Sequence, residues 1–213
     1  MDQRTGAAAL EDRYSGCAQA NSQMVSTAAS CKSRSFRPAA STIAGRRRWD
    51  TIERRPLDPE TVPALLGALH DPASTVRAAA IIGFYPGDGE EAYAALAAGL
   101  RDPDYRVRIW PSYALRDERA VPALIHALDD PYLWVRVNAA RNLGGIGDRR
   151  AVSPLITQLR TRNRYMRAEA ARALGALGDP QALAPVAGLH DRSTSKWFRE
   201  YVSEALTELV KAD

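Results

Sequence analysis

The sequence is poor in the residues that build covalent or metal-held frameworks. Its only cysteines are Cys17 and Cys31, so the remaining residues, 51–213, hold no disulfide framework and no thiolate metal site. No apolar run reaches 18 residues, which predicts that no helix of this chain spans a membrane. From this cysteine usage we expect a reduced, cytoplasmic setting.

The residue patterns of common enzyme classes are also missing. None of the three histidines (His70, His126 and His190) has a second histidine or a carboxylate at metal-ligand spacing. There is no glycine-rich phosphate loop between a strand and a helix, and no serine, histidine and aspartate in a pattern typical of a catalytic triad. We therefore expect no catalytic residues, no metal and no cofactor, and we predict that the protein is not an enzyme.

The net charge of +4 comes entirely from the first 50 residues. Residues 1–50 hold eight Lys or Arg and four Asp or Glu, whereas residues 51–213 hold 21 of each sign. A basic pI is therefore weak support for nucleic-acid binding by residues 51–213. Low apolar content and no helical periodicity predict that residues 1–50 are a disordered tail. A targeting segment and a start codon assigned too far upstream are the other two interpretations.

What the sequence does contain is a repeat of about 30 residues. Three residue types recur with spacings of 28 to 32 residues: leucine, arginine and aspartate. The leucines are Leu69, Leu100, Leu128, Leu159 and Leu189; the arginines are Arg77, Arg108, Arg136, Arg167 and Arg199; the aspartates are Asp58, Asp88, Asp117, Asp148 and Asp179. Three residue types that share one period indicate a solenoid built from stacked units.

Residues 117–147 show what one unit contains. Apolar residues at Val121, Leu124, Ile125 and Leu128 follow the i, i+3, i+4, i+7 pattern of a helix whose N-cap is Asp117. A second apolar stripe begins at Val135, and glycines follow it where a helix must end. Each unit is therefore predicted to be a helical hairpin. The predicted fold is all-α, a right-handed α-solenoid (α-α superhelix, armadillo-like) of about five hairpins over residues 51–213.

The repeat resembles the HEAT-like repeats of the phycobilisome-lyase (PBS lyase) type. The resemblance rests on Asp-Pro at 71–72, 102–103 and 130–131, on Val-Arg at 76–77, 107–108 and 135–136, and on Ala-Leu-Gly at 173–175. It covers residues 58–210, as repeats one to five at about 58–87, 88–116, 117–147, 148–178 and 179–210. The resemblance implies the fold, but that family includes lyase subunits and scaffolds, so it does not imply one function.

The arginines of the Val-Arg pairs are predicted to be structural. Each lies one turn into the second helix of its repeat, within reach of carbonyls and of turn aspartates in neighbouring repeats. Those aspartates are Asp71, Asp102, Asp130 and Asp191. Because repeat four has Thr161 at the aspartate position, Arg167 is expected to be the arginine that is available for another role.

The second helices are expected to line the concave surface of the solenoid. The residues two and five positions after each Val-Arg arginine should then face the groove, and they include residue types enriched at binding hot spots. The predicted partner-binding residues are Trp110, Tyr113, Asn138, Arg141 and Arg172, with Arg164 and Arg167 steering an acidic group. In an equally open interpretation, Trp110 and Tyr113 pack around a kink at Pro111.

The leading hypothesis is a non-enzymatic scaffold that binds a protein or peptide segment, acidic in character, in the groove. Two alternatives stay open. The seven arginines between Arg149 and Arg172 would suit a nucleic-acid-binding protein that resembles the HEAT-like DNA glycosylases. A bilin lyase or a chaperone-like subunit of one is implied by the family resemblance alone.

Overall fold

The computed structural model describes residues 61–192 and 195–211, without the side chains of residues 191 and 192. The predictions for residues 1–50 lie outside the described residues. Contacts divide the chain into two units, residues 1–65 and 66–213. The packing described below is that within the second unit.

The described residues form ten α-helices and four short 3-10 helices, with no strand among them. The helices are α1 (Thr61–Ala68), α2 (Ser74–Ile82), α3 (Glu90–Gly99), α4 (Tyr105–Ala114), α5 (Val121–Ala127), α6 (Leu133–Ile146), α7 (Val152–Gln158), α8 (Arg164–Leu177), α9 (Leu183–Arg192) and α10 (Lys196–Lys211). The prediction of an all-α solenoid of helical hairpins is therefore confirmed.

The first helix of each later repeat begins with a 3-10 turn rather than directly as an α-helix. In repeat three the sequence predicted one helix from Asp117 to Leu128, but a 3-10 helix at Glu118–Ala120 precedes α5. The aspartates of repeats four and five lie at the starts of these turns. Asp148 and Asp179 each accept a hydrogen bond from the backbone N–H two residues later, which satisfies one free donor of the turn.

The second helices α2, α4, α6, α8 and α10 form a row in which each packs against the next. Two glycines bring neighbouring helices of this row into backbone contact. A Cβ on Gly144 would lie 2.7 Å from the Cα of Ala173, and one on Gly175 would lie 2.9 Å from the Cα of Ala205. Buried leucines such as Leu124 and Leu143 fill the space between this row and the first helices.

The contact between repeats two and three is built differently, because α4 contains Pro111 and ends at Ala114. Asn142 of α6 closes this junction. Its Nδ2 group donates to the carbonyl oxygens of Ser112, Tyr113 and Leu115 at 2.8, 3.0 and 2.8 Å. Asn142 occupies the repeat position that Ala173 and Ala205 hold in repeats four and five. A polar side chain thus replaces the glycine–alanine contact where the preceding helix is too short to make it.

Candidate partner-binding surface

The Val-Arg arginines join successive repeats through the turn aspartates. Arg77 donates from Nε and Nη2 to the two carboxylate oxygens of Asp102 at 2.7 and 2.9 Å. Arg108 makes the same pair of bonds to Asp130 at 2.6 and 2.9 Å. In both cases Nη1 donates to carbonyl oxygens in the turn of the arginine's own repeat. We call these two pairs the arginine–aspartate ladder.

The ladder runs forward, from the arginine of one repeat to the aspartate of the next, and this corrects one prediction. Because repeat four has Thr161 at the aspartate position, the missing aspartate affects Arg136 of repeat three rather than Arg167, and Arg136 contacts no carboxylate within the described residues. Arg167 is itself held: its Nη1 donates to the carbonyl oxygens of Thr161 and Arg162, and its guanidinium lies 5.4 Å from the centroid of the Phe198 ring. The side chain of Asp191 lies outside the described residues.

Trp110 and Tyr113 lie on α4 on either side of Pro111. Trp110 is only 7% exposed, and its indole N–H donates to the carbonyl oxygen of Phe84 at 2.9 Å. Its ring contacts the rings of Tyr85 and Tyr113, with centroids 5.0 and 5.8 Å apart. In the unbound chain Trp110 therefore packs between repeats one and two, and Tyr113 keeps the more accessible position of the two.

Arg141 and Arg172 converge on one buried carboxylate, that of Glu169. Arg141 donates to both oxygens of Glu169 at 3.1 Å, and Arg172 donates from Nε to Oε1 at 2.9 Å. The Tyr201 hydroxyl lies 3.5 Å from the other oxygen. Asn138 lies apart from this group and donates to the Ser112 hydroxyl at 3.2 Å. All three of these predicted site residues therefore make hydrogen bonds within the chain, Arg141 and Arg172 to Glu169 and Asn138 to Ser112.

The Glu169 group is an electrostatic clamp across repeats three, four and five. Burial by itself would raise the pKa of Glu169, but the charges and hydrogen bonds of Arg141 and then Arg172 lower it below its ordinary value. Glu169 is therefore ionised at neutral pH. The guanidinium groups of Arg141 and Arg172 are both partly accessible to solvent.

The exposed aromatic surface lies further along, at the starts of α8 and α10. Tyr165 and Trp197 are 39% and 44% exposed, and their ring centroids lie 5.7 Å apart. Trp197 also contacts the ring of Tyr201 at 5.7 Å, which connects this pair to the Glu169 clamp. We call Tyr165, Trp197 and Tyr201 the aromatic surface. Tyr165 and Trp197 share one repeat position with Trp134, and for these three aromatics the sequence leaves packing and ligand binding equally open.

Arginines border the aromatic surface on one side. Arg164 lies over the Tyr165 ring at 5.1 Å and donates to its hydroxyl at 3.3 Å. Within the described part of the chain, Arg160, Arg162 and Arg164 contact no carboxylate, in contrast to Arg150, which is paired with Asp148. Arg160, Arg164 and Arg167 line a groove of about 780 Å³ whose floor includes Leu159 and Phe198. The turn of repeat four therefore places arginine side chains next to the apolar residues of this groove.

Residues 61–192 and 195–211 contain neither a membrane-spanning helix nor a cluster of metal ligands. No helix there is long and apolar enough to cross a lipid bilayer. No group of three or more histidine, cysteine, aspartate or glutamate side chains in the same residues is arranged to hold a metal ion.

One family model matches part of the chain. Residues 117–207 match the family model described as HEAT repeats. This match covers most of repeats three to five. A search of curated proteins with the sequence finds no match.

Solved structures share the fold at low sequence identity. The Escherichia coli protein YibA superposes with a TM-score of 0.58 and 22% identity over 72% of this chain, and this chain spans 55% of YibA. The complex of CpcE and CpcF of phycocyanin lyase from Nostoc sp. PCC7120 gives a TM-score of 0.56 and 21% identity, over 70% of this chain and 99% of that chain. Because a lyase complex has this fold, the fold alone does not exclude catalysis.

Proposed function

We propose that this helical-repeat chain is a non-catalytic protein-interaction module, and that it binds an acidic segment of a partner protein on the second helices of repeats four and five. The single observation that carries the proposal is the exposed Tyr165–Trp197 pair, with Arg164 over the Tyr165 ring and in contact with no carboxylate of the described residues. The binding surface is therefore placed further toward the C-terminus than the residues around Trp110.

Exposed aromatic rings support a protein partner. Burying a tryptophan and a tyrosine removes a large apolar area from water, at about 25 cal/mol per Å². Both side chains have few rotatable bonds, so ordering them on binding costs little entropy. Trp, Tyr and Arg are the residue types that dominate measured binding energies at protein interfaces. A surface that joins all three favours a protein segment as the ligand.

The charge of the surface supports an acidic partner. Arg160, Arg162 and Arg164 have no carboxylate to neutralise them within the described residues. Arginine binds carboxylates through two parallel hydrogen bonds, which gives direction as well as affinity. The CpcE–CpcF complex, which shares the fold, is itself an assembly of two proteins.

The proposal is tested by affinity capture from the source organism's lysate with the full-length chain as bait. Three baits are compared: the wild type, a Tyr165→Ser/Trp197→Ser double variant, and Trp134→Ser. Trp134 occupies the same repeat position in repeat three but makes no aromatic ring contact in the described residues, so it is the matched control. Circular dichroism first establishes that all three remain helical.

We expect one or more proteins to be recovered by the wild type and by Trp134→Ser and lost from the double variant. Equal recovery on all three baits would exclude the aromatic surface as the binding site. The basic turn of repeat four also makes nucleic acid a second candidate ligand. Recovery that disappears after nuclease treatment, and affinity that falls steeply with salt, would assign the surface to nucleic acid instead.

A further inference from the structure

Arg136 adopts the pose of a ladder arginine, although repeat four supplies no aspartate. Its Nη1 donates to the carbonyl oxygen of Asp130, just as Nη1 of Arg108 donates to the carbonyl oxygen of Asp102. This bond orients the guanidinium along the stack. In Arg77 and Arg108, the same orientation directs Nε and Nη2 at the carboxylate of the next repeat.

The residue at that position after Arg136 is Thr161. Its hydroxyl lies 3.4 Å from the carbonyl oxygen of Asn163, so it makes its hydrogen bond within the turn of repeat four. Within the described residues, no side chain accepts a hydrogen bond from Nε or Nη2 of Arg136. Two parallel donors that form a bidentate pair in the preceding repeats are therefore present here without their acceptor. A half-buried guanidinium in this state favours binding of an anion.

The position at Thr161 is open to a ligand. Thr161 lines the groove of about 780 Å³ between repeats four and five, together with Arg160, Arg164 and Arg167. Arg160 and Arg164 contact no carboxylate in the described part of the chain. An anion that approaches Thr161 from this groove is thus attracted by the positive charges of Arg160 and Arg164. Residues 160–168 contain no aspartate or glutamate, so no nearby carboxylate competes with the anion for these arginines.

We propose that Arg136 is the centre of a carboxylate-binding site at Thr161. The ligand's two oxygens would accept the hydrogen bonds from Nε and Nη2 that Asp102 and Asp130 accept in the preceding repeats. The ligand class is a carboxylate, either the side chain of an acidic peptide or a small carboxylic acid. This site goes beyond the proposed function, because it requires neither the aromatic surface nor a protein partner.

The test follows the arginine Nε–H groups of the full-length, ¹⁵N-labelled chain by NMR. The Arg136 resonance is identified by its loss in Arg136→Lys. Sodium formate is then titrated against a sodium chloride control of equal ionic strength, and hexaglutamate is titrated separately. Thr161→Asp supplies the missing carboxylate from within the chain, and Thr161→Val is its control without a charge.

We expect a saturable shift of the Arg136 resonance with formate in the wild type and in Thr161→Val. In Thr161→Asp the affinity should be weaker by at least about tenfold, because the site is already filled. A shift with hexaglutamate but not with formate would assign the carboxylate to a peptide side chain. No saturable shift with either ligand, or an unchanged affinity in Thr161→Asp, would overturn the proposal. Because Thr161→Asp keeps Arg136, this outcome does not depend on the folding of Arg136→Lys. The affinity-capture experiment with the Tyr165→Ser/Trp197→Ser variant tests the proposed function separately, so the two proposals can fail independently.

Discussion

Arg108 crosses a repeat boundary to donate two hydrogen bonds to Asp130, at 2.6 and 2.9 Å, with both side chains at most 10% exposed. Asp130 also accepts the backbone N–H of Tyr132, so one carboxylate holds both its own turn and the preceding repeat. Arg108 therefore stabilises the contact between two repeats, and its charge is not available to bind a ligand.

Asp130→Ala should lower the free energy of unfolding by about 3 kcal/mol, because it leaves the Arg108 charge buried without a partner. Urea denaturation followed by circular dichroism measures the change. The control is Glu208→Ala, which removes the exposed pair with Lys211 and should cost less than about 1 kcal/mol. Equal effects of the two substitutions would contradict a structural role for the ladder.

Asn142→Ala should destabilise the chain by about 2 kcal/mol, because three carbonyl oxygens at the end of α4 lose their donor. Asn138→Ala removes one bond to the Ser112 hydroxyl from a less buried position and should cost less than about 1 kcal/mol. Hydrogen exchange of the amides in α4 gives a second measurement. We expect faster exchange there in Asn142→Ala, and unchanged exchange would show that Asn142 does not hold this junction.

Gly144→Ala should destabilise the chain by about 1–3 kcal/mol, because the new methyl group would lie 2.7 Å from the Cα of Ala173. Gly145 provides the control one residue later. A Cβ there meets nothing within 4 Å, so Gly145→Ala should be neutral or stabilise by up to about 1 kcal/mol, through the better helix propensity of alanine. Thermal unfolding of the two variants should therefore shift in different directions, and similar shifts would refute the close backbone contact.

Low pH should reduce the free energy of unfolding of the chain, because the Glu169 carboxylate becomes protonated. Burial opposes the charged form, but Arg141 and Arg172 lower the pKa of Glu169 below its ordinary value of 4.5. A carboxyl group with a lowered folded-state pKa contributes stability above its unfolded pKa, and that contribution falls as the pH drops below about 4.5. Urea denaturation at several pH values should show Glu169→Gln less stable than the wild type at pH 7. The difference should shrink below pH 4.5, and a difference independent of pH would exclude the clamp.

How far sequence alone could locate the site is clear from the arginines. The period placed Arg77, Arg108, Arg136 and Arg167 at one repeat position and put aspartates within their reach. Periodicity carries no direction, however, so it could not tell whether an arginine pairs with its own repeat, the previous one or the next. The structure shows pairing with the next repeat, so the missing aspartate of repeat four affects Arg136 rather than Arg167.

The aromatic residues show the same limit. The helical pattern placed Trp110 and Tyr165 on the second helices, but it could not tell how much of each ring neighbouring repeats would cover. Trp110 is buried and donates its indole N–H to the carbonyl oxygen of Phe84, whereas the rings of Tyr165 and Trp197 remain exposed to solvent. Glu169 was placed on the inner face by its position, but its pairing with both Arg141 and Arg172 depends on the offset between helices of different repeats.

The sequence by itself determined the helices, their hairpin pairing and the repeat, because caps, apolar stripes and glycines act over a few residues and recur at a fixed period. Only the tertiary structure decided which charges are neutralised, which rings are exposed and where one junction changes from Gly–Ala packing to the Asn142 hydrogen bonds. Those features depend on side chains about 30 residues apart in sequence, and small shifts between stacked helices determine whether such side chains meet.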